Sequence, residues 1–434
     1  MKKFVALLLA LTLCIGLCAC GAQPEAPAAT DAPAAEAPAE ETPAATGETE
    51  ATTGSKDIKV GFIFLHDENS TYDLNFINAA KAACTEVGLS DDQVMMKTNI
   101  SESQACYDAA AELVDAGCDL IITDSFGHES YIIEAAKEFP NVQFCHSTGT
   151  LAHTEKLSNY HNAFASIYEG RYLAGIAAGL KLNEMIANGE FTADEAKMGY
   201  VGAFTYAEVI SGYTSFFLGA RSVCPTATMK VRYTSSWYDY DREKQTAETL
   251  IDTDKCVLIS QHADSMGAPT ACNNKKVPNV SYNGSTIKAC NKSFIISSAI
   301  DWSPYFYHII KAVTDGTAIE KNWCGTLSTG SVVLSKMNEK VAADGTVAKI
   351  EEAVTKLKNG TLKVFDVTKF TYENGKTVDA DFLADVIDLG DYKADTKVVK
   401  TENGITYFAE SEFRSAPYFE IRIDGITELN KGWE

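Results

Sequence analysis

"SESQACYDAAAELVDAGCDLIITDS", residues 101–125, decides the fold. Its small apolar residues recur at helical spacing. Ser101 is placed as the N-cap and Gly117 as the stop. The run "CDLIITDS" that follows is short and apolar, then turns polar at Asp124 and Ser125. A helix delivered straight into a short buried strand is half of a β-α-β unit. The same alternation extends both ways. Upstream lie a strand, "IKVGFIFL", a helix, "NFINAAKAACTEVG", ending at Gly88, and a strand, "QVMMKTN". Downstream lie a helix, "HESYIIEAAKEFP", and a strand, "VQFCHS". Repeated alternation of this kind predicts a parallel sheet covered on both faces.

The second half repeats the scheme. A long helix, "IYEGRYLAGIAAGLKLNEMIANG", carries Gly170, Ala174, Gly175, Ala178 and Gly179, small residues that allow close packing. Strands "KMGYVGAF", "ATMKVRY", "CVLISQ" and "VPNVSYN" then alternate with helices. Two doubly wound units of similar length read as two similar lobes. The chain lacks GxGxxG and GxxxxGK[ST], so the usual phosphate cradles of dinucleotide and nucleoside-triphosphate enzymes are missing. Ligands of such sheets sit beyond the carboxyl ends of the strands. Those ends hold His66 to Asp73, Asp124 to His128, Phe204 and Tyr206, Ser235 to Trp237, Gln261 to Ser265, and Asn283-Gly284. Polar groups interspersed with aromatics suit a polar ligand cleft with aromatic walls.

The N-terminus places the protein. "MKK" and the apolar "FVALLLALTLCIGL" form a leader that runs into "LCAC", residues 17–20. This resembles the bacterial lipobox, which implies cleavage before Cys20 and lipid on its thiol and amine. The other reading is an ordinary secretion signal. Residues 21–55 are rich in Ala, Pro, Glu and Thr, with seven acids and no Lys or Arg. Such a segment buries too little apolar surface to offset its ordering entropy, and is expected to be an extended tether. The boundaries read from the sequence are a leader at 1–19, lipidated Cys20 and tether at 20–55, and a two-lobed body at about 56–365. Lobe one takes about 56–162 and 300–325, and lobe two about 163–299 and 326–365. Residues 366–434 form a C-terminal extension packed on that body. The expected location is the extracytoplasmic face of the cell membrane.

The formal net charge is −22; loss of Lys2, Lys3 and the acids of the tether leaves −17 on the body. Such a surface repels nucleic acid, anionic head groups and phosphorylated ligands, and leaves neutral or cationic small molecules. Nine cysteines remain besides Cys14, Cys18 and Cys20, without a CxxC pair. Most sit in helix or strand patterns and read as small buried apolar residues, with one or two disulfides left open. His146, His153 and His161 are spaced by seven and eight, with His128 upstream, and lack the local pairing of zinc sites; neither metal nor cofactor is expected. No nucleophile elbow, HExxH or paired base appears, so no catalytic residue is assigned.

Six segments carry a family resemblance: "STYDLNF", "EGRYLAGIAAGL", "SSWYD", "HADSMGAP", "SYNGS" and "AIDWSPYF", in this order between residues 70 and 306. Together with the lipobox they resemble the basic membrane lipoprotein (PnrA-like) family. These are substrate-binding lipoproteins of ABC importers with the type I periplasmic-binding-protein fold, two doubly wound parallel-sheet α/β lobes joined by a multi-segment hinge. The resemblance implies a purine nucleoside or base as ligand, an ABC permease as partner, a monomeric state and no enzymatic activity. A ligand-sensing lipoprotein of the same fold and a sugar-binding protein are the alternatives. The first cleft loop departs from the family, since Ser70-Thr71-Tyr72-Asp73-Leu74 lacks an aromatic and a histidine.

The residues expected at the ligand are Thr71, Tyr72, Asn75, Asp124, Phe126, Trp237, Asp264, Asn283 and Trp302. Trp237 is a stacking platform for a flat heterocycle or a cap over its lobe's core. Tyr72, Phe126 or Trp302 supplies the opposing wall, with hinge packing as the other reading of Trp302. Asp264 accepts from hydroxyls or an amine, or caps a helix; Asp124 is similar. Asn283 faces the ligand as an amide, or serves as a turn residue before Gly284. Asp239 reads as the N-cap of the following helix. The hinge is expected near residues 160–165, 283 and 300.

Overall fold

The computed structural model describes residues 57–387 and 393–433. The leader, Cys20 and the tether lie outside the described residues. The first sheet is built from β1 (Val60–Ile63), β2 (Val94–Lys97), β3 (Leu120–Thr123), β4 (Gln143–Ser147) and β5 (Tyr160–Ala165). Helices α1 (Thr71–Val87), α2 (Gln104–Asp115) and α3 (Glu129–Glu138) connect them. The order is β2-β1-β3-β4-β5 and every pairing is parallel. β1, β3 and β5 are buried at every position, as strands covered on both faces must be.

The second sheet repeats this arrangement with α4 (Ile167–Ala187), β6 (Lys197–Gly202), α5 (Ala207–Arg221), β7 (Thr228–Tyr233), α6 (Tyr240–Asp252), β8 (Leu258–His262), α7 (Gly267–Lys275), β9 (Asn279–Tyr282) and β10 (Phe294–Ile300). Its order, β7-β6-β8-β9-β10, is the first sheet's order over again. After α8 (Ser303–Asp315), β11 (Asn322–Gly325) joins the first sheet beside β5, and β12 (Val332–Leu334) joins the second, antiparallel to β10. Helix α9 (Thr346–Lys358) follows.

The chain therefore crosses between sheets three times: between β5 and α4, between β10 and α8, and between β11 and β12. The first two crossings lie where the sequence reading put them. The third lies at residues 326–331, beside the lobe boundary read at 325/326 and not at the hinge expected near 283. Asn283 does not cross, because β9 and β10 are neighbours in one sheet.

Two local devices set the packing. In α4 and α5 the glycines let two helix backbones touch. A Cβ on Gly175 would stand 2.0 Å from the Phe216 carbonyl oxygen, and one on Gly219 would stand 2.0 Å from that of Tyr172. In α2 the cap is Ser103, whose hydroxyl accepts from the Ala105 N–H; Ser101 bonds to the Ser103 hydroxyl one step out. Gly117, at φ +87°, ends that helix.

The C-terminal extension adds two short antiparallel pairs, β13 (Leu383–Ala384) with β14 (Thr396–Lys397) and β15 (Val399–Glu402) with β16 (Ile405–Phe408). β17 (Ile426–Glu428) then extends the second sheet in parallel with β7. Val386, Phe408, Tyr418 and Phe419 join the second lobe's core. Eight of the nine cysteines of the body are buried. Among the described residues no helix is long and apolar enough to cross a membrane.

Candidate functional site

The carboxyl ends of the strands of both sheets face one another, and a hollow of about 380 Å³, including its part open to solvent, lies between them. On the first lobe, Ser70 caps α1 by accepting from the Asp73 N–H, which sets Tyr72 on the opening turn. The Tyr72 hydroxyl donates to the Asp124 carbonyl at 2.6 Å, and its ring leans on Phe76 at 4.8 Å. Phe126 follows β3. On the second lobe, Trp237 follows β7 in a turn where Ser235 takes φ +56°. The Trp237 carbonyl accepts from the Asp264 N–H at 2.9 Å, tying the turns after β7 and β8 together. Its half-buried indole meets the Phe204 ring edge-on at 5.1 Å and the Tyr206 ring at 6.0 Å. Phe126 meets Tyr206 across the cleft at 5.0 Å. Asp239 caps α6, accepting from the Arg242 N–H at 3.0 Å, so the acid beside Trp237 shapes the turn.

The cavity is acid-rimmed, and among the described residues no Lys or Arg lines it. Burial pushes the Asp73 carboxyl up, but hydrogen bonds from His66 and Ser70 outweigh it and hold Asp73 below its ordinary range. Burial and the charge of Asp73 push Asp124 well above the carboxylate range. Burial, then the negative charges of Glu243 and Asp73, raise Asp264 likewise, although Asn283 donates to it at 3.0 Å. Glu243, behind Asp264, is raised by burial to about 7 while accepting from the Asp239 and Ser265 N–H groups. Burial also lowers His262, which stays neutral. Arg171, fully buried, donates to the Tyr200 hydroxyl at 3.0 Å, so that hydroxyl's own hydrogen is directed at His262 Nδ1, 3.4 Å away. This leaves Nε2–H of His262 to donate to Glu208 at 3.3 Å. The chain from a buried guanidinium to a cavity carboxylate fixes which Glu208 oxygen is spent.

The structure brings Tyr72, Phe126, Trp237, Asp264 and Asn283 to the cavity wall, drawn from both lobes. Thr71 and Asn75 lie beside it and join the lobes: Thr71 donates through N–H and Oγ1 to the Asp264 carbonyl at 3.3 and 3.1 Å, and Asn75 to the Asn283 carbonyl at 2.8 Å. Asp124 stands one layer behind, accepting from the Leu65 N–H at 3.1 Å. Trp302 is a correction. It is 1% exposed and stacks on Phe76 at 4.5 Å with Phe164 against its edge, inside the first lobe's core. Its position at the N-cap of α8 turns the indole inward, because α8 packs on α1. Glu208, His262 and Tyr282 also line the cavity and were not selected from the sequence. His262 was visible among the strand-end residues. Glu208 is the second residue of α5, just past the point where the strand-end inventory stops.

The histidines are taken up structurally: His146 faces Thr123 Oγ1 at 2.5 Å, His161 the Glu320 carbonyl and Gln143, and His128 the Ile100 carbonyl at 2.9 Å. Among the described residues no group of three His, Cys, Asp or Glu is arranged for a metal.

A family model described as "ABC transporter substrate-binding protein PnrA-like" matches residues 63–368, which takes in the whole cavity and both sheets apart from most of β1 and the added β17. The chain belongs to this PnrA-like family. It is a substrate-binding protein of the ABC transporter type and not an enzyme. A purine-binding protein of Brucella abortus is 30% identical over 312 residues, covering 71% of this chain and 83% of that protein. A putative ABC transporter glucose-binding protein of Haloferax volcanii is 29% identical over 256 residues, covering 58% of this chain and 61% of the other. Among solved structures, an ABC transporter solute-binding protein of Conexibacter woesei superposes with a TM-score of 0.56 at 21% identity, covering 70% of this chain and 98% of that one. That likeness agrees with the two parallel-sheet lobes of the type I periplasmic-binding-protein fold.

Proposed function

We propose that this PnrA-like protein captures a purine nucleoside or purine base outside the cytoplasm and presents it to an ABC permease. We further infer that Cys20 carries the lipid anchor and that the chain acts as a monomer. The observation that carries the ligand reading is the make-up of the cavity. An indole and a phenyl ring offer flat faces, an amide and carboxylates offer edge contacts, and no cation is present to recruit a phosphate. A heterocycle stacked on an aromatic gains about 1–3 kcal/mol and tolerates any π-face. Asn283 both donates to and accepts from a purine edge, and Asp264 and Glu208 accept from amines or hydroxyls. The likeness to the Brucella purine-binding protein supports the same ligand class.

Closure supplies the mechanism. Binding contacts come from both lobes, and Thr71, Asn75, Phe126 and Tyr206 bring the lobes together. A ligand that favours this closed form shifts the population toward the surface the permease reads. The likeness to the Haloferax glucose-binding protein favours a second reading, a sugar stacked on the same indole. A thermal-shift panel of adenosine, inosine, adenine and glucose separates the two. The purine reading expects a raised melting temperature with a purine and none with glucose; the reverse result replaces it with the sugar reading.

A further inference from the structure

A second hollow of about 1070 Å³, including its part open to solvent, shares Phe126, Thr148 and Glu208 with the first cavity. Its far wall is Asp385, Arg414, Ala416, Pro417 and Glu420. These belong to the C-terminal extension, beyond the segment that matches the family. The wall is fastened to both lobes. Ser415 donates through N–H and Oγ to Asn322 Oδ1 on β11 of the first lobe, at 3.4 and 3.2 Å. Tyr168 of α4 donates to the Glu410 carbonyl at 3.4 Å, and Phe408, Tyr418 and Phe419 are built into the second lobe's core.

We propose that the extension completes the binding site: the hollow it walls is a second subsite for a hydroxyl-rich, uncharged arm of the ligand whose planar head lies on Trp237. The proposal rests on the purine reading above and adds where the rest of the ligand goes. The chemistry of the wall is that of an acceptor surface. Thr148 Oγ1 donates to the Asp124 carbonyl and Thr150 Oγ1 to Glu129, so both hydroxyls offer the cavity lone pairs only. Glu208, Asp385 and Glu420 are carboxylates. The one cation of the wall, Arg414, is 6% exposed and donates to the Val386, Ala416 and Pro417 carbonyls. Acceptors without a free cation match a polyol such as a pentose and repel a phosphate. Thr148, at the junction of the two hollows, is held at φ +84°, a costly conformation for a β-branched residue that persists where the surroundings impose it.

The test uses the full chain and calorimetry with adenine, adenosine and adenosine 5′-monophosphate. Thr205 lines the second hollow but not the first, and Glu420 is exposed on the extension. Thr205→Trp is expected to weaken adenosine at least about tenfold while leaving adenine within about twofold, and Glu420→Ala to act in the same direction severalfold. The monophosphate is expected not to bind. If both variants leave the adenosine-to-adenine ratio unchanged, or if the monophosphate binds as tightly as adenosine, the subsite is wrong while the purine reading stands. If no purine binds the wild type, the purine reading falls and this proposal with it. If glucose alone binds and Thr205→Trp weakens it, the two-part ligand is overturned.

Discussion

Two tryptophans separate site from core. Trp237→Ala is expected to weaken purine binding roughly 10- to 100-fold, the span of lost stacking, with little change in the unliganded melting temperature. Trp302→Ala removes a core side chain and is expected to cost about 3–5 kcal/mol of stability, seen as an earlier urea midpoint. Sequence separated the two poorly, since both stand beside Ser and Asp in segments that carry the family resemblance, "SSWYD" and "AIDWSPYF". Only the packing of α8 on α1 turns one of them inward. Glu208 escaped for a different reason: its role arises from a hydrogen-bonded chain through His262, Tyr200 and Arg171, residues far apart in sequence. Glu243 yields a pH effect. Its folded value, near 7, lies above its ordinary 4.5 because of burial. A raised acid stabilises the fold fully below the ordinary value, and that stability is lost as pH rises from 4.5 towards 7. Glu243→Gln keeps an acceptor for both backbone N–H groups and needs no proton. It is expected to be nearly neutral below about pH 4.5 and to stabilise by up to about 3 kcal/mol above about pH 7.5, measured by denaturant midpoints across pH.

At the scale of elements, the close packing of α4 was legible, because glycine and alanine at helical spacing announce a close backbone approach; that its partner is α5 was not. Gly175→Ala or Gly219→Ala forces backbone atoms apart and is expected to cost about 1–3 kcal/mol, lowering the melting temperature. The strands were legible for a related reason: uninterrupted apolar runs between helix-period segments leave parallel pairing as the consistent answer. On the third crossing the sequence reading was divided, with the hinge set at 283 but the lobe boundary at 325/326. The chain at residues 326–331 is a short stretch of Thr, Leu, Ser and Gly, and nothing in it says that β11 and β12 belong to different sheets. The extension was opaque as well, because its strands are only two to four residues long and gain their place by joining an existing core.

For the molecule as a whole, the proposed function makes an acidic body with an aromatic cleft between two lobes a device for holding an uncharged planar solute. Closing the lobes makes the cleft a site, so contacts between them are part of the affinity. Asn75→Ala removes the bond to the Asn283 carbonyl and is expected to weaken binding about threefold to tenfold without altering the fold, read by calorimetry against an unchanged melting temperature. The most direct measurement of the central claim is calorimetric titration of adenosine into the full chain and into Trp237→Ala. The account predicts saturable one-to-one binding by the wild type and a loss of at least about tenfold in the variant. Equal affinity in the two proteins would show that the ligand does not rest on that indole, and would contradict it.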